Sequence, residues 1–174
     1  MSQLAIFYPL SVGVDNPVLR QISQPIDVID SDVKDFGDVL LTLMYEYDGV
    51  GLAAPQLGKN IRMIAVTEWE EKKTTPRKGK QASHKKLVGE RIMINPEILE
   101  YSTTTQITEE ACLSVPKVFG DVKRYQRIKV KYQDSKGKII TKKLTGFNAV
   151  IVQHEIDHLN GILFVDKVIR FSKS

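Results

Sequence analysis

Cysteine occurs once in these 174 residues, as Cys112, so no internal disulfide can form and a disulfide-stapled scaffold is excluded. A lone thiol fits a reducing compartment and asks for a chemical explanation. Histidine is almost as scarce, with only His84, His154 and His158. No uncharged apolar run approaches the ~18 residues of a membrane-spanning helix, and no membrane partner is expected. No Lys or Arg precedes Arg20, so the cationic front of a secretory or transit peptide is missing, and the chain is expected to be mature, cytoplasmic sequence. Repeats and linker-like stretches are absent too, and at 19.7 kDa a single catalytic domain over residues 1–174 is expected.

What is present is an ordinary globular composition, 42% hydrophobic and 26% charged, which is enough apolar surface for a real core and excludes general disorder. Charge is unevenly spread. Residues 72–86 hold six Lys, one Arg and no acid, a local +7 that leaves the remainder at −3 against the overall +4. Such a block can touch RNA phosphates, or it can be a solvated surface-loop insertion spanning about 70–90; both readings stay open, and no DNA partner is expected.

Helix-capping residues Asp30 and Ser31 precede Val33, Phe36, Leu40, Leu43, Met44 and Tyr47, whose spacing predicts an amphipathic helix ending at Asp48-Gly49. Gly49 to Gln56, with two glycines and small neighbours, reads as an active-site loop or strand edge. Ile61–Thr67 and Arg91–Ile94 are predicted strands flanking the basic insertion, and Ile128–Gln133 with Lys138–Leu144 a hairpin turning at Asp134–Gly137. Phe147–Asn160 is apolar on nearly every side, as expected of a helix surrounded by sheet, with Gly161 placed to end it. Two helices among several strands without βαβ alternation predict an α+β fold, with antiparallel sheets packed around that central helix and an amphipathic helix nearer the N-terminus.

The central helix carries His154-Glu155-Ile156-Asp157-His158, the HExxH pattern. Two imidazoles one turn apart on one face can share a metal, and Glu155 is placed to exchange a proton with a metal-activated water. Two hydrogen-bonded core histidines are the alternative. A catalytic site of this kind has three protein ligands and an open position. The third position of HExxHxxGxxH falls on Phe164, and no Glu follows His158, so the missing ligand is expected upstream. His84 lies in the basic block, where a rigid ligand would be poorly supported. Cys112 is the better candidate, since thiolate is a strong metal ligand, although a buried inert cysteine is its other reading.

Three segments then stand together: Gly49-Val50-Gly51-Leu52-Ala53-Ala54-Pro55-Gln56, Glu110-Ala111-Cys112-Leu113-Ser114, and Gln153-His154-Glu155-Ile156-Asp157-His158-Leu159-Asn160-Gly161. In this order they resemble the GxGLAAxQ, EGCLS and QHExDHLxG motifs of peptide deformylases, and the likeness extends to Asp15–Arg20 and Ile94–Glu97. The resemblance implies a cytoplasmic metalloenzyme that removes the formyl group from the N-formylmethionine of nascent polypeptides, releasing formate. It implies Cys112, His154 and His158 as metal ligands, with Fe²⁺ in the cell and Zn²⁺, Ni²⁺ or Co²⁺ able to occupy the purified protein. It further implies Glu155 as general acid and base, Gln56 and the Leu113 N–H as donors to the tetrahedral oxygen, and Gly51 as a backbone partner of substrate. Val50, Phe147, Val150 and Ile151 would wall the methionine pocket; ordinary core packing accounts for them equally.

The sequence departs from that pattern at Ala111, where the family usually has Gly, and at Lys117 and Phe119, where many members have an acid and an Arg. The basic block is a third difference. These departures keep open an alternative, a metal-retaining deformylase-like binding protein with little or no activity. The block itself suggests ribosome association through residues 72–86.

Overall fold

A computed structural model describes residues 2–73 and 83–172. A short helix α1 (Gln3–Phe7) leads to α2 (Ser31–Glu46), whose N-terminus is capped by Asp30 accepting from the Val33 N–H at 3.0 Å. β1 (Gly51–Ala53) runs into a 3₁₀ turn (Ala54–Leu57), and β2 (Met63–Lys73) and β3 (Ser83–Tyr101) form a long antiparallel hairpin. β4 (Thr105–Cys112) and β5 (Val115–Tyr125) form a second hairpin, β6 (Arg127–Gln133) and β7 (Ile139–Thr145) a third. Then come α3 (Gly146–Leu159), a 3₁₀ turn (Phe164–Lys167) and β8 (Val168–Phe171). The strands make a five-stranded sheet ordered β1-β2-β3-β6-β7 and a three-stranded sheet ordered β4-β5-β8, with antiparallel pairing throughout. The fold is α+β, as expected.

Side chains alternate across a strand, and β2 uses both faces. Ile64 and Val66 pack with Ala149, Ile151, Val152 and Ile156 of α3. Met63 and Ala65 pack with Phe36, Leu40, Leu43 and Met44 of α2. The sheet is thus sandwiched at β2, which explains why the predicted strand there is a near-continuous apolar run. A third cluster, of Leu19, Cys112, Val115, Val122, Leu163 and Phe164, joins the small sheet to the segment after α3.

Two expectations are revised. The predicted hairpin strands are longer than the apolar pattern suggests: backbone pairing continues to Lys72↔His84 and Lys73↔Ser83, so the insertion is narrower than 70–90. Backbone hydrogen bonds, which are indifferent to side-chain polarity, carry the ladder into the basic stretch. The middle of the basic block, 74–82, lies outside the described residues. The β4–β5 hairpin was not expected at all. Its strands read TQITEEAC and VPKVFGDVKRY, with charged residues on both faces, as in Glu109-Glu110 and Lys123-Arg124, and a Pro and a Gly in the second, which hides the period.

Candidate metal centre and active-site cleft

Cys112 ends β4, where a register shift between Ala111 and Cys112 closes the hairpin and re-aims its side chain. His154 and His158 come from successive turns of α3. The helix is pinned by Gln153, whose Oε1 accepts from the Tyr125 N–H at 3.1 Å while its Nε2 donates to the Tyr125 and Ala149 carbonyls, both at 2.9 Å. Gly161, at φ +72, lets the chain turn sharply after the helix; a Cβ there would meet the Arg20 carbonyl at 2.5 Å.

The ligand atoms of Cys112, His154 and His158 all lie within 4.8 Å of one another, and the Cys112 Sγ is 3.3 Å from His158 Nε2. A tetrahedral ion with ordinary sulfur and nitrogen bond lengths holds those two atoms roughly 3.5 Å apart, so this pair is spaced as two ligands of one ion would be. Burial holds His158 well below its usual pKa, keeping the imidazole neutral and able to donate a lone pair. Burial also disfavours charge on His154, but its bonds to Cys112 and Glu110 more than offset this and raise it to about 10, so ligation there releases a proton. A soft thiolate with two imidazoles is a donor set for a borderline divalent ion.

Behind the donors runs a buried ion network. Glu110 Oε2 lies 2.8 Å from His154 Nδ1; Arg124 donates to Glu110 from Nε at 2.7 Å and from Nη2 at 2.8 Å. Arg124 Nη1 reaches Asp157 Oδ2 at 2.5 Å, and Lys167 Nζ donates to both Asp157 oxygens at 2.6 and 2.7 Å. Burial opposes the Glu110 charge, yet the bonds from Arg124 and His154 outweigh it and hold the carboxyl down at about 2. None of Glu110, Arg124, Asp157 or Lys167 was assigned a role from the sequence. The available signal was an acid and a base embedded in otherwise apolar or ligand-bearing stretches, which only pairing in space makes legible.

An open cleft of about 470 Å³ lies over the donors. Gly51, Gln56, Cys112, Leu113, His154 and Glu155 line it, as do the expected pocket walls Val50, Phe147, Val150 and Ile151; His158 sits beneath, almost wholly buried. The eleven residues singled out in the sequence are therefore gathered in one place. Phe147 is also capped by Lys85 of the basic stretch, whose ammonium is 3.8 Å from the ring centre. Gln56 is buried, with Oε1 accepting from the Ala53 N–H at 2.8 Å and Nε2 donating to Ser114 Oγ at 3.0 Å, 3.7 Å from the Cys112 sulfur. Glu155 is buried as well; desolvation raises its pKa to about 7, and its Oε2 has no partner among the described residues. Gly51 faces it so closely that a Cβ would lie 2.4 Å from Glu155 Oε1. Ala111 faces the cleft with an ordinary negative φ, so its methyl is accommodated without backbone strain.

Three convergent donors beside a carboxylate that burial has made half-basic define a metal-dependent hydrolase. The chain belongs to the polypeptide deformylase family, whose model matches residues 11–174. It is 38% identical to the peptide deformylase of Mesorhizobium japonicum over 165 residues, covering 95% of this chain and 86% of that one. It is 41% identical over 161 residues to peptide deformylase 2 of Gloeobacter violaceus, with coverage of 92% and 79%. Among solved structures, it matches the peptide deformylase of Thermotoga maritima with a TM-score of 0.75 at 38% identity, covering 92% of this chain and 97% of that one. It matches the Met-Ala-Ser-bound enzyme of Acinetobacter baumannii at 0.78 and 36%, with the same coverage.

Proposed function

We propose that this protein hydrolyses the formyl amide of N-formylmethionyl nascent polypeptides, releasing formate and a free amino terminus. The observation that carries this reading is the convergence of Cys112, His154 and His158 beside Glu155 in a chain of this family. Those three side chains would hold one divalent ion, which supplies Lewis acidity and a water acidic enough to attack near neutral pH. Fe²⁺ is the proposed ion in the cell, with Zn²⁺, Ni²⁺ or Co²⁺ able to replace it in purified protein.

Glu155 takes a proton from the attacking water and returns it to the departing amine nitrogen as the carbon–nitrogen bond breaks. A carboxyl with a pKa of about 7 is suited to both transfers. The Gln56 Nε2 and the Leu113 N–H donate to the oxygen of the tetrahedral intermediate; Gln56 is held for this by Ala53 and Ser114. Gly51 offers its backbone to the substrate main chain, and Val50, Phe147, Val150 and Ile151 enclose the methionine side chain. On this reading residues 1–174 form a single catalytic domain with antiparallel sheets packed around the HExxH helix, working in the cytoplasm where nascent chains appear.

Formate release from formyl-Met-Ala-Ser by protein prepared without oxygen and loaded with Fe²⁺ or Zn²⁺ tests the reading, with Glu155→Ala as control. Turnover absent from every metal form would refute it. The binding-protein alternative is not favoured, because the relatives named above carry an enzyme's name; tight formyl-peptide binding without hydrolysis would revive it. We also propose that the basic block 72–86 docks the enzyme on ribosomal RNA. Low-salt co-sedimentation with ribosomes that survives deletion of the block would refute that.

A further inference from the structure

Three non-glycine residues among those described have positive φ: Asp48 at 55°, Asn95 at 51° and Lys117 at 64°. Asp and Asn tolerate this region because their short polar side chains bond locally. Asn95 does so, its Oδ1 accepting from the Ile26 N–H at 2.8 Å and its Nδ2 donating to the Ile26 carbonyl at 2.8 Å. Asp48 follows the end of α2, where a left-handed residue is a common stop. Lys117 has neither excuse. Glycine would occupy this position without penalty, yet the chain places there a long cation whose Cβ crowds its own backbone.

Lys117 is exposed and lines the cleft with Phe119, two residues on along β5. Phe119 lies opposite Ala111 in the β4–β5 register, next to the metal ligand Cys112. Lys117 makes no ion pair among the described residues; of the acids lining the cleft, Glu110 is already matched by Arg124, Glu155 lies buried beside the metal-ligand donors, and Asp48 and Glu109 are exposed at its edge. Lys117 and Phe119 line the same cleft as Cys112, His154 and Glu155 and as Val150 and Ile151, so a substrate with its formyl end at the donors and its methionine against the apolar wall has room for its next residues within reach of Lys117.

We propose that Lys117 is a specificity-determining residue that favours nascent chains carrying an Asp or Glu side chain shortly after the formylmethionine. The proposal rests on the deformylase reading and narrows its substrate class. An ammonium at the edge of the cleft attracts a carboxylate and repels a second cation, and the left-handed backbone sets the direction of its Cα–Cβ bond.

The test measures kcat/KM for carboxamide-capped formyl-Met-X-Ala and formyl-Met-Ala-X, with X as Asp, Ala or Lys, in wild type, Lys117→Gly and Lys117→Glu. Wild type should prefer Asp over Lys at one or both positions by about 2- to 5-fold at low ionic strength, the range that a partly exposed ion pair supplies, and less at high salt. Lys117→Gly should abolish the preference while melting no lower than wild type, since glycine adopts this φ freely; the loss then cannot come from a damaged fold. Lys117→Glu should invert it. Identical ratios in all three proteins would overturn the proposal. Failure to turn over any peptide, the alanine ones included, would instead strike the deformylase reading itself and the proposal with it.

Discussion

A carboxylate oxygen of Glu110 lies 2.8 Å from Nδ1 of His154, so the orientation of that imidazole is set by a strand residue and not by the helix that carries it. Glu110 is itself held on both oxygens by Arg124, which spans to Asp157 one residue before the second histidine. The two turns of helix that bear the ligands are thus tied to the hairpin that bears Cys112. Outer partners of this kind fix the tautomer and aim of a metal-binding imidazole.

Removing Arg124 leaves the buried Glu110 with His154 alone, while Asp157 keeps Lys167. Arg124→Met should destabilise the fold by about 3–5 kcal/mol, since breaking a buried pair from one side leaves uncompensated charge. Where it still folds, it should bind metal some 10- to 100-fold more weakly. Denaturant melts, together with competition against a chelator, would read the two effects. Near-normal values for both would mean that the network is incidental.

Gly51 and Glu155 occupy almost the same space. Gly51→Ala puts a methyl 2.4 Å from Glu155 Oε1, closer than any side chain tolerates, and Glu155 must move. A displacement of about 1 Å in a proton-transferring group costs on the order of 10²-fold in rate. Turnover should fall by that factor while metal content stays at wild-type level, because no ligand is touched. Full activity in this variant would mean that Glu155 does not handle the proton.

Gln56→Ala should lower kcat by about 10²–10³-fold with KM little changed, the signature of a donor used in the transition state alone. A structural role also exists, because Gln56 bonds the Ala53 N–H and Ser114 Oγ. Gln56→Glu separates the two, since its carboxylate keeps the Ala53 bond but cannot donate to an oxyanion. Activity retained in Gln56→Glu would remove Gln56 from the chemistry.

Tyr45 donates its hydroxyl to Glu90 Oε2 at 2.5 Å, and this bond, with some burial and the nearby charge, pushes the phenol up to about 12. A folded-state pKa above the unfolded value of about 10 stabilises the protein fully below pH ~10, and that contribution is lost as pH rises through about 12. The gap in urea midpoint between wild type and Tyr45→Phe should therefore be constant near neutrality and close between pH ~10 and ~12. A gap independent of pH across that interval would show that the bond is not formed.

The HExxH pair of histidines, the glutamate beside them and the helices α2 and α3 were legible in the sequence because each rests on local spacing, whereas Cys112 was reached only by elimination and by the family resemblance. Residues four apart on a helix share a face whatever surrounds them, so His154 and His158 declare themselves together, and Asp30 announces α2 by a contact three residues away. The β4–β5 hairpin was not legible, since its half-exposed strands and register shift do not follow a clean alternation. Nor could the network behind the metal be read, as Glu110, Arg124 and Asp157 are 14 and 33 residues apart along the chain and meet only when hairpin and helix pack. What the sequence by itself determined is which groups could do chemistry. The tertiary structure decided which of them are buried, and burial is what makes His158 neutral, Glu155 half-basic and the charge on Glu110 dependent on its partners, because the energy of a charge depends on the medium around it far more than on its neighbours in sequence.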